Sequence, residues 1–371
     1  MTVLPDVSLD EFNARAAAFL ALHRQSPSES LIKNLHTRVE SISAGNACLP
    51  VTVNHAETDN AWVCSPYTTY CSYAIEETAR LGRPVLTRPL SRLIHCMGAL
   101  LKRAEIDRAV AINNWLVSTN CYPRLRDVDI DQAIDEAKSR WPDHAIWFRS
   151  LNAAHHADWL HALADRGGML LPSRQVYLFE NIAELVRQHT DLKRDISLLR
   201  RKDGFVCERI LDNETDFVRA EELYDDLYIQ KYSRLNPQYR HPLIMAWSKA
   251  GLLQLFGLRD TAGILQGVVG LFAFGNLITS PIVGYNTHLP QKVGLYRRLA
   301  ACVLREGATH GRLVNLSAGV AHFKRQRGGR PALEYSAVLV DHLPPHRRRA
   351  IQALGFLTRN IGIPIMRKFK L

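Results

Sequence analysis

The decapeptide 289–298, LPQKVGLYRR, joins an apolar, strand-like run, Ile278–Tyr285 (ITSPIVGY), to an amphipathic helical run, Gly294–Gly307 (GLYRRLAACVLREG). A strand, a short glycine-containing turn and a helix together make an anion site. The free N–H groups at the helix start point outward, and the helix dipole adds a favourable field. Gln291-x-x-Gly294 falls where that turn must form, and glycine there lets the backbone approach a pyrophosphate closely. Lys292, Arg297 and Arg298 add positive charge. Many strand–turn–helix units begin with glycine and bind nothing, so the weight of this motif rests on its surroundings.

The charge around it is uneven. Residues 290–371 carry 16 Lys+Arg against 3 Asp+Glu, whereas the preceding 289 residues carry 31 against 33. The whole net charge of +11 therefore lies in the segment that begins at the turn. A basic face implies an anionic partner: a nucleotide cofactor, an acidic carrier protein, RNA or a membrane surface. A chain of 371 residues exceeds one typical core, which makes two domains the default. The turn signal Asp203-Gly204 divides it into 1–203 and 204–371. No apolar run is long enough to span a bilayer, and the N-terminus lacks the basic-then-apolar order of a signal peptide. The seven cysteines are odd in number, widely spaced and without a CxxC pair. That usage predicts reduced thiols in a cytoplasmic protein.

Periodicity predicts helices over 9–24, 28–43, 73–81, 89–104, 129–141, 158–166 and 192–201 in the first half. Short strands are expected over 50–54, 61–65, 109–118, 144–150 and 176–180. The second half reads as strand 205–211, helices 214–231 and 242–250, and a three-strand meander over 252–258, 264–274 and 276–285. The anion turn and its helix follow. After them come strand 313–316, helix 320–327, strand 333–340 and a basic amphipathic helix over 345–359.

That order of elements resembles the GNAT acyltransferase fold. The residues Ile282-Val283-Gly284-Tyr285, Arg305-Glu306-Gly307, Val314-Asn315-Leu316-Ser317-Ala318-Gly319 and Phe323-Lys324-Arg325-x-x-Gly328 are similar to the FemAB-like, cellulose-synthesis-associated (CelD-like) branch of that superfamily. The resemblance covers residues 204–340 and implies an α/β protein of tandem GNAT-like halves. Each half would be a mixed, largely antiparallel sheet flanked by helices, with the first half walling the acceptor site. The turn departs from the usual (Gln/Arg)-x-x-Gly-x-(Gly/Ala), because Tyr296 occupies the last small position. That departure points to a donor carried on an acyl carrier protein or on tRNA rather than ordinary coenzyme A.

Acyl transfer from a thioester to an amine needs a held donor, a deprotonated amine, a stabilised oxyanion and a proton for the leaving thiolate. The resemblance implies that backbone around Val283–Tyr285 holds the donor arm. The amides of Val293, Gly294, Leu295 and Tyr296, beside Gln291 and Lys292, would hold the pyrophosphate. Lys324, Arg325 and Arg327 are expected beside the donor phosphates. His322 stands where many GNAT enzymes carry a tyrosine proton donor, and a histidine titrates near neutrality. Its alternative is a surface histidine. His288 is a second candidate base, set against a loop histidine without a role. Tyr285 is a candidate hydrogen-bonding group or simple packing. Glu334 is a candidate base or the partner of Arg330. His155, His156 and His161 have metal-like spacing but no completing ligands, and they read as structural, with no metal.

Three functions compete. The first is an N-acyltransferase that moves an acyl group from acyl-CoA or a phosphopantetheine carrier to an amine-bearing small molecule. No cofactor would be tightly bound, and the product would be a small metabolite or envelope component. The second is a FemX-like, aminoacyl-tRNA-dependent transferase, disfavoured by the lack of an RNA module. The third is a non-catalytic GNAT-fold protein that docks an acidic partner.

Overall fold

The computed structural model describes residues 7–57, 59–201, 204–210 and 212–369. Its strands are β1 (Arg38–Ala44), β2 (Ala47–His55), β3 (Arg108–Ile112), β4 (Ala145–Asn152), β5 (Met169–Phe179), β6 (Val206–Ile210), β7 (Gln254–Arg259), β8 (Leu265–Phe274), β9 (Leu277–Tyr285), β10 (Leu313–Asn315) and β11 (Arg330–Leu339). The helices of the first half are α1 (Leu9–Gln25), α2 (Ser28–Leu31), α3 (Tyr73–Ala79), α4 (Pro84–Arg103), α5 (Ile130–Arg140), α6 (Ala157–Asp165), α7 (Ile182–Gln188) and α8 (Thr190–Arg200). Those of the second are α9 (Glu214–Tyr224), α10 (His241–Lys249), α11 (Leu295–Thr309), α12 (Ala321–Gln326), α13 (Pro345–Leu357) and α14 (Ile363–Phe369).

All eleven strands form one mixed, largely antiparallel sheet in the order β1-β2-β3-β4-β11-β5-β10-β9-β8-β7-β6. The expected α/β class and tandem layout are present. Among the described strand pairs only β3/β4 and β9/β10 run parallel, one in each half, and each follows an antiparallel meander. The last strand crosses between halves. β11 inserts between β4 and β5 and pairs antiparallel with both. β5 in turn pairs with β10, so the sheet is continuous across the middle of the chain. Asp203 of the Asp203-Gly204 turn lies outside the described residues, as does Leu211 at the end of the strand expected over 205–211.

Burial explains the strand composition. Every residue of β8 is buried, as is every residue of β4, so both faces of the sheet are covered there. Three apolar clusters do the covering. One packs α1, α9 and α10 around Trp115, Phe272 and Trp247. A second packs α8 and α11 on β8–β10, and a third packs α4 and α13 on β3, β4 and β11. Arg347 anchors α13 from within: its buried guanidinium donates to the carbonyl oxygens of Ala104 (2.9 Å) and Glu105 (3.0 Å).

Three local readings need correction. The helix expected over 28–43 stops at Leu31, and 38–44 is the sheet's edge strand, because pairing with β2 outweighs local periodicity. Residues 61–65 form turns rather than a strand, with Ala61 N–H donating to Asn34. The run 109–118 leaves the sheet after Ile112, where Asn113 (φ 54°) and Leu116 (φ 58°) turn the chain. No described helix is long and apolar enough to cross a membrane.

Candidate functional site

The parallel contact between β9 and β10 lasts only three residues, Leu277–Thr279 against Leu313–Asn315. Beyond it β9 stays paired with β8 out to Tyr285, but its other edge has lost its neighbour. Two local features open this gap. A bulge sets Ser280 and Pro281 against Leu271 alone, and proline, lacking an N–H, is tolerated at such a point. After β10 the chain turns away through Ser317 (φ 57°), Gly319 (φ 80°) and Val320 (φ 49°). A left-handed β-branched residue such as Val320 is strained and must be held by its surroundings. Lys324 does the holding. Its Nζ donates to the carbonyl oxygens of Leu316 (2.7 Å), Ala318 (2.8 Å) and Ser317 (3.2 Å).

The gap opens into a cavity of about 520 Å³ that runs between the two halves of the chain. Ser280, Pro281 and Val283 of β9, Tyr296 and Ala300 of α11, and Leu316–Val320 line one end; α3, α4, α13 and α14 line the other. Its size is that of a small-molecule site, roughly 300–1,000 Å³. Three π-helical segments border it: Thr68–Ser72, Asp225–Tyr232 and Thr358–Gly362. Each contributes lining residues, among them Tyr70, Tyr228, Tyr232 and Ile361. Such segments widen a helix, re-aim its side chains and occur often at functional sites.

The walls are mostly apolar, and their polar groups converge near Lys324. Arg174 donates to Glu334 Oε1 (2.7 Å) and Ser317 Oγ (2.9 Å). Its guanidinium also lies over the Trp62 ring. Burial, aided by the Arg174 charge, lowers the Lys324 ammonium to about 7. Across the cavity burial raises the Glu77 carboxyl, against the pull of Arg80. Burial also raises the phenols of Tyr73, Tyr228 and Tyr232, which keeps all three neutral.

The residues expected from sequence divide between this cavity and its surroundings. Val283, Tyr296 and Lys324 line it. Glu334 lines a small adjoining pocket of about 20 Å³, room for about one water, and its Oε2 is buried without a partner among the described groups. Its partner is Arg174; Arg330 pairs with Glu180 instead, because β11 brings Glu334 opposite Arg174 in register. His322 and His288 are exposed and line neither pocket, and Tyr285 is half-buried against Tyr296.

The turn has the expected backbone: Gly294 is left-handed (φ 71°) and opens α11. Gln291 and Lys292 are exposed, whereas Leu295 is buried and Val293 half-buried. α8 packs on this turn, so that a Cβ at Gly294 would lie 3.2 Å from Leu198. The flanking cations are committed to α8. Arg297 donates to Asp195 (2.6 Å) and Arg298 to the Leu198 carbonyl (2.7 Å). Arg327 takes the other Asp195 oxygen (2.5 Å), and Arg325 rests against Tyr177. Part of the C-terminal positive charge therefore lies inside the chain: Arg298, Lys324, Arg327 and Arg347 are buried and donate to internal acceptors. His155 and His156 are buried around Asn152 and Glu180, and no metal-binding cluster occurs among the described residues.

Sequence reading missed the first-half contribution. Tyr73, Glu77, Ser118 and Arg174 reach the cavity through tertiary placement, and no local motif marks them.

No known family matches the sequence, and no curated protein does. Among solved structures the chain is similar to L-PGS from Bacillus licheniformis, at 9% identity over 95% of this chain and 99% of that one, TM-score 0.50. It is also similar to FemX (11% identity, 57% and 77% covered, TM-score 0.45) and to a tandem GNAT protein from the clavulanic acid biosynthesis pathway (10%, 62% and 75%, TM-score 0.38). The first likeness bears on the fold alone; the other two carry no weight.

Proposed function

We propose that this chain is an N-acyltransferase that moves an acyl group from a thioester, carried on coenzyme A or an acyl carrier protein, to a primary amine. The observation that carries the reading is the unpaired edge of β9 after Thr279, exposed to a cavity with a near-neutral lysine at its inner end. An amide-rich donor arm fits such an edge by strand-like hydrogen bonds, and backbone N–H groups of β9 supply the oxyanion donor. Tyr296 and the packing of α8 on the turn favour a carrier-bound phosphopantetheine arm, which asks less of the turn than a free pyrophosphate does. The Phe323-Lys324-Arg325-x-x-Gly328 motif supports placing the chain near the FemAB-like, CelD-like branch, and the free cysteines support a cytoplasmic setting.

The chemistry assigns each proton. Neutral Lys324 keeps two of its three N–H bonds to the carbonyls, and on the lone pair so freed it accepts a proton from the attacking amine as the N–C bond forms. The tetrahedral oxyanion collapses, the C–S bond breaks, and the leaving thiolate takes the proton back from Lys324. A lysine near 7 suits both halves of that exchange. His322, His288 and Tyr285 stand outside this scheme because they line neither pocket.

Release of free thiol from acyl-coenzyme A and acyl-carrier-protein thioesters, with a panel of amines, tests the reading. Amine-dependent release that Lys324→Met abolishes supports it. Release from neither donor, with transfer from charged tRNA instead, would replace it by the aminoacyl-transferase reading.

A further inference from the structure

α4 and α14 break a rule that soluble helices follow. A 20-residue amphipathic helix in a globular protein buries its apolar stripe against the core. α4 buries only Gly98 and Leu101 along its whole length, and α14 buries nothing. Part of their apolar surface turns to the cavity, although Val85 and Leu100 of α4 face solvent. Leu90, Ile94 and Met97 of α4 face it from one side, and Leu354, Ile361 and Ile365 from α13, the π-helical turn and α14 face it from the other. The two walls come from opposite ends of the chain and close together at the rim, where the Arg83 guanidinium lies 5.6 Å over the Phe369 ring. Protein interiors are close-packed, so a channel this size, walled by aliphatic side chains between α4 and the α13–α14 arm and by tyrosines elsewhere, fits a largely apolar ligand. Lys324, Arg174 and Ser317 gather at the inner end of the channel, while Glu77 and Arg80 stand on the α3 side and the stretch between α4 and the α13–α14 arm is lined by aliphatic side chains.

We infer that the channel between α4 and the α13–α14 arm holds a single long, unbranched acyl chain whose carbonyl lies at the Lys324 end. The inference rests on the transferase reading only for what the carbonyl is attached to. It makes the donor a long-chain acyl group rather than an acetyl or aminoacyl group, since neither of those covers the aliphatic walls.

Calorimetric titration of the full-length protein with hexadecanoate, octanoate and acetate tests the channel without any donor. Affinity is expected to rise with chain length, with hexadecanoate at least about tenfold tighter than octanoate and acetate unbound. Ile94→Trp and Ile361→Trp fill the channel from its two walls at half-buried sites, Ile94 at the margin of the third apolar cluster. Each is expected to weaken hexadecanoate at least about tenfold. Phe356→Ser, on the exposed face of α13, leaves it unchanged. Equal affinity for the three acids, or wild-type affinity in both tryptophan variants with intact circular dichroism, overturns the inference. Tight hexadecanoate binding without thiol release from hexadecanoyl thioesters keeps the channel and removes the transferase reading. Thiol release indifferent to chain length keeps the transferase and removes the channel.

Discussion

Lys324 Nζ lies 2.7 Å from the carbonyl oxygen of Leu316, the first residue past β10. That contact joins the strained loop that opens the sheet to a lysine lowered by burial to about 7. A lysine depressed in this way is neutral above about 7, so amine-dependent turnover is expected to rise as pH passes through that value. In Lys324→Met the residual rate loses the inflection. The three carbonyls also lose their donor, which costs about 1–3 kcal/mol of stability. pH–rate profiles and urea melts of both proteins check this. An unchanged inflection in the variant would assign the base elsewhere.

Asp195 is 1% exposed and holds both Arg297 and Arg327. Arg327 is itself buried, so removing the carboxylate leaves a buried cation without its counter-charge. Asp195→Ala is expected to lose about 3–5 kcal/mol, read from the denaturant midpoint. Because α8 then loosens from α11, thioester affinity should fall as well. A loss below about 1 kcal/mol would mean that the carboxylate does not lock the two helices.

Gly284 sits where α9 crosses β9. A Cβ there would come within 2.4 Å of the Leu223 and Tyr224 backbone, which cannot move aside as a side chain can. Gly284→Ala is expected to cost at least about 1–3 kcal/mol and to lower thioester affinity by shifting the open edge of β9. Thermal melts with and without thioester separate the two effects.

Burial holds His156 down to about 3, with the neighbouring His155 adding to the effect. Its native form therefore binds fewer protons than the unfolded chain between the ordinary histidine value and about 3. Stability is full above about 6.5 and falls as pH drops, by about 1.4 kcal/mol per pH unit from this residue. His23, His144 and His155 are lowered by burial as well and add slope of the same sign, so from pH 7 to pH 5 the unfolding free energy of His156→Phe should fall less steeply than that of the wild type, by about 1.4 kcal/mol per pH unit once pH is below the ordinary histidine value. Parallel slopes would contradict the assignment.

Much of the second half was legible in the sequence. Continuous apolar runs of strand length mark β8 and β9, and Gly294 with its neighbours marks the start of α11, because these are local patterns with local causes. The insertion of β11 between β4 and β5 was not legible, since strand pairing across more than 150 residues leaves no local trace. Of the π-helical segments, Asp225–Tyr232 read as ordinary helix, Thr358–Gly362 did so only at its start, and Thr68–Ser72 fell between the expected elements. The cations also misled: Arg297, Arg298 and Arg327 suggested a phosphate face, yet Asp195 and a backbone carbonyl hold them. Lys324 was legible as a motif residue but not as a buried one.

Hydrogen–deuterium exchange with and without a long-chain acyl thioester tests the central claim most directly. A donor arm lying along the open edge of β9 should slow exchange in residues 280–285 and in the facing loop 316–320, which Lys324 holds. Protection confined to the outer basic surface, or no change along 280–285 at saturating thioester, would contradict the account.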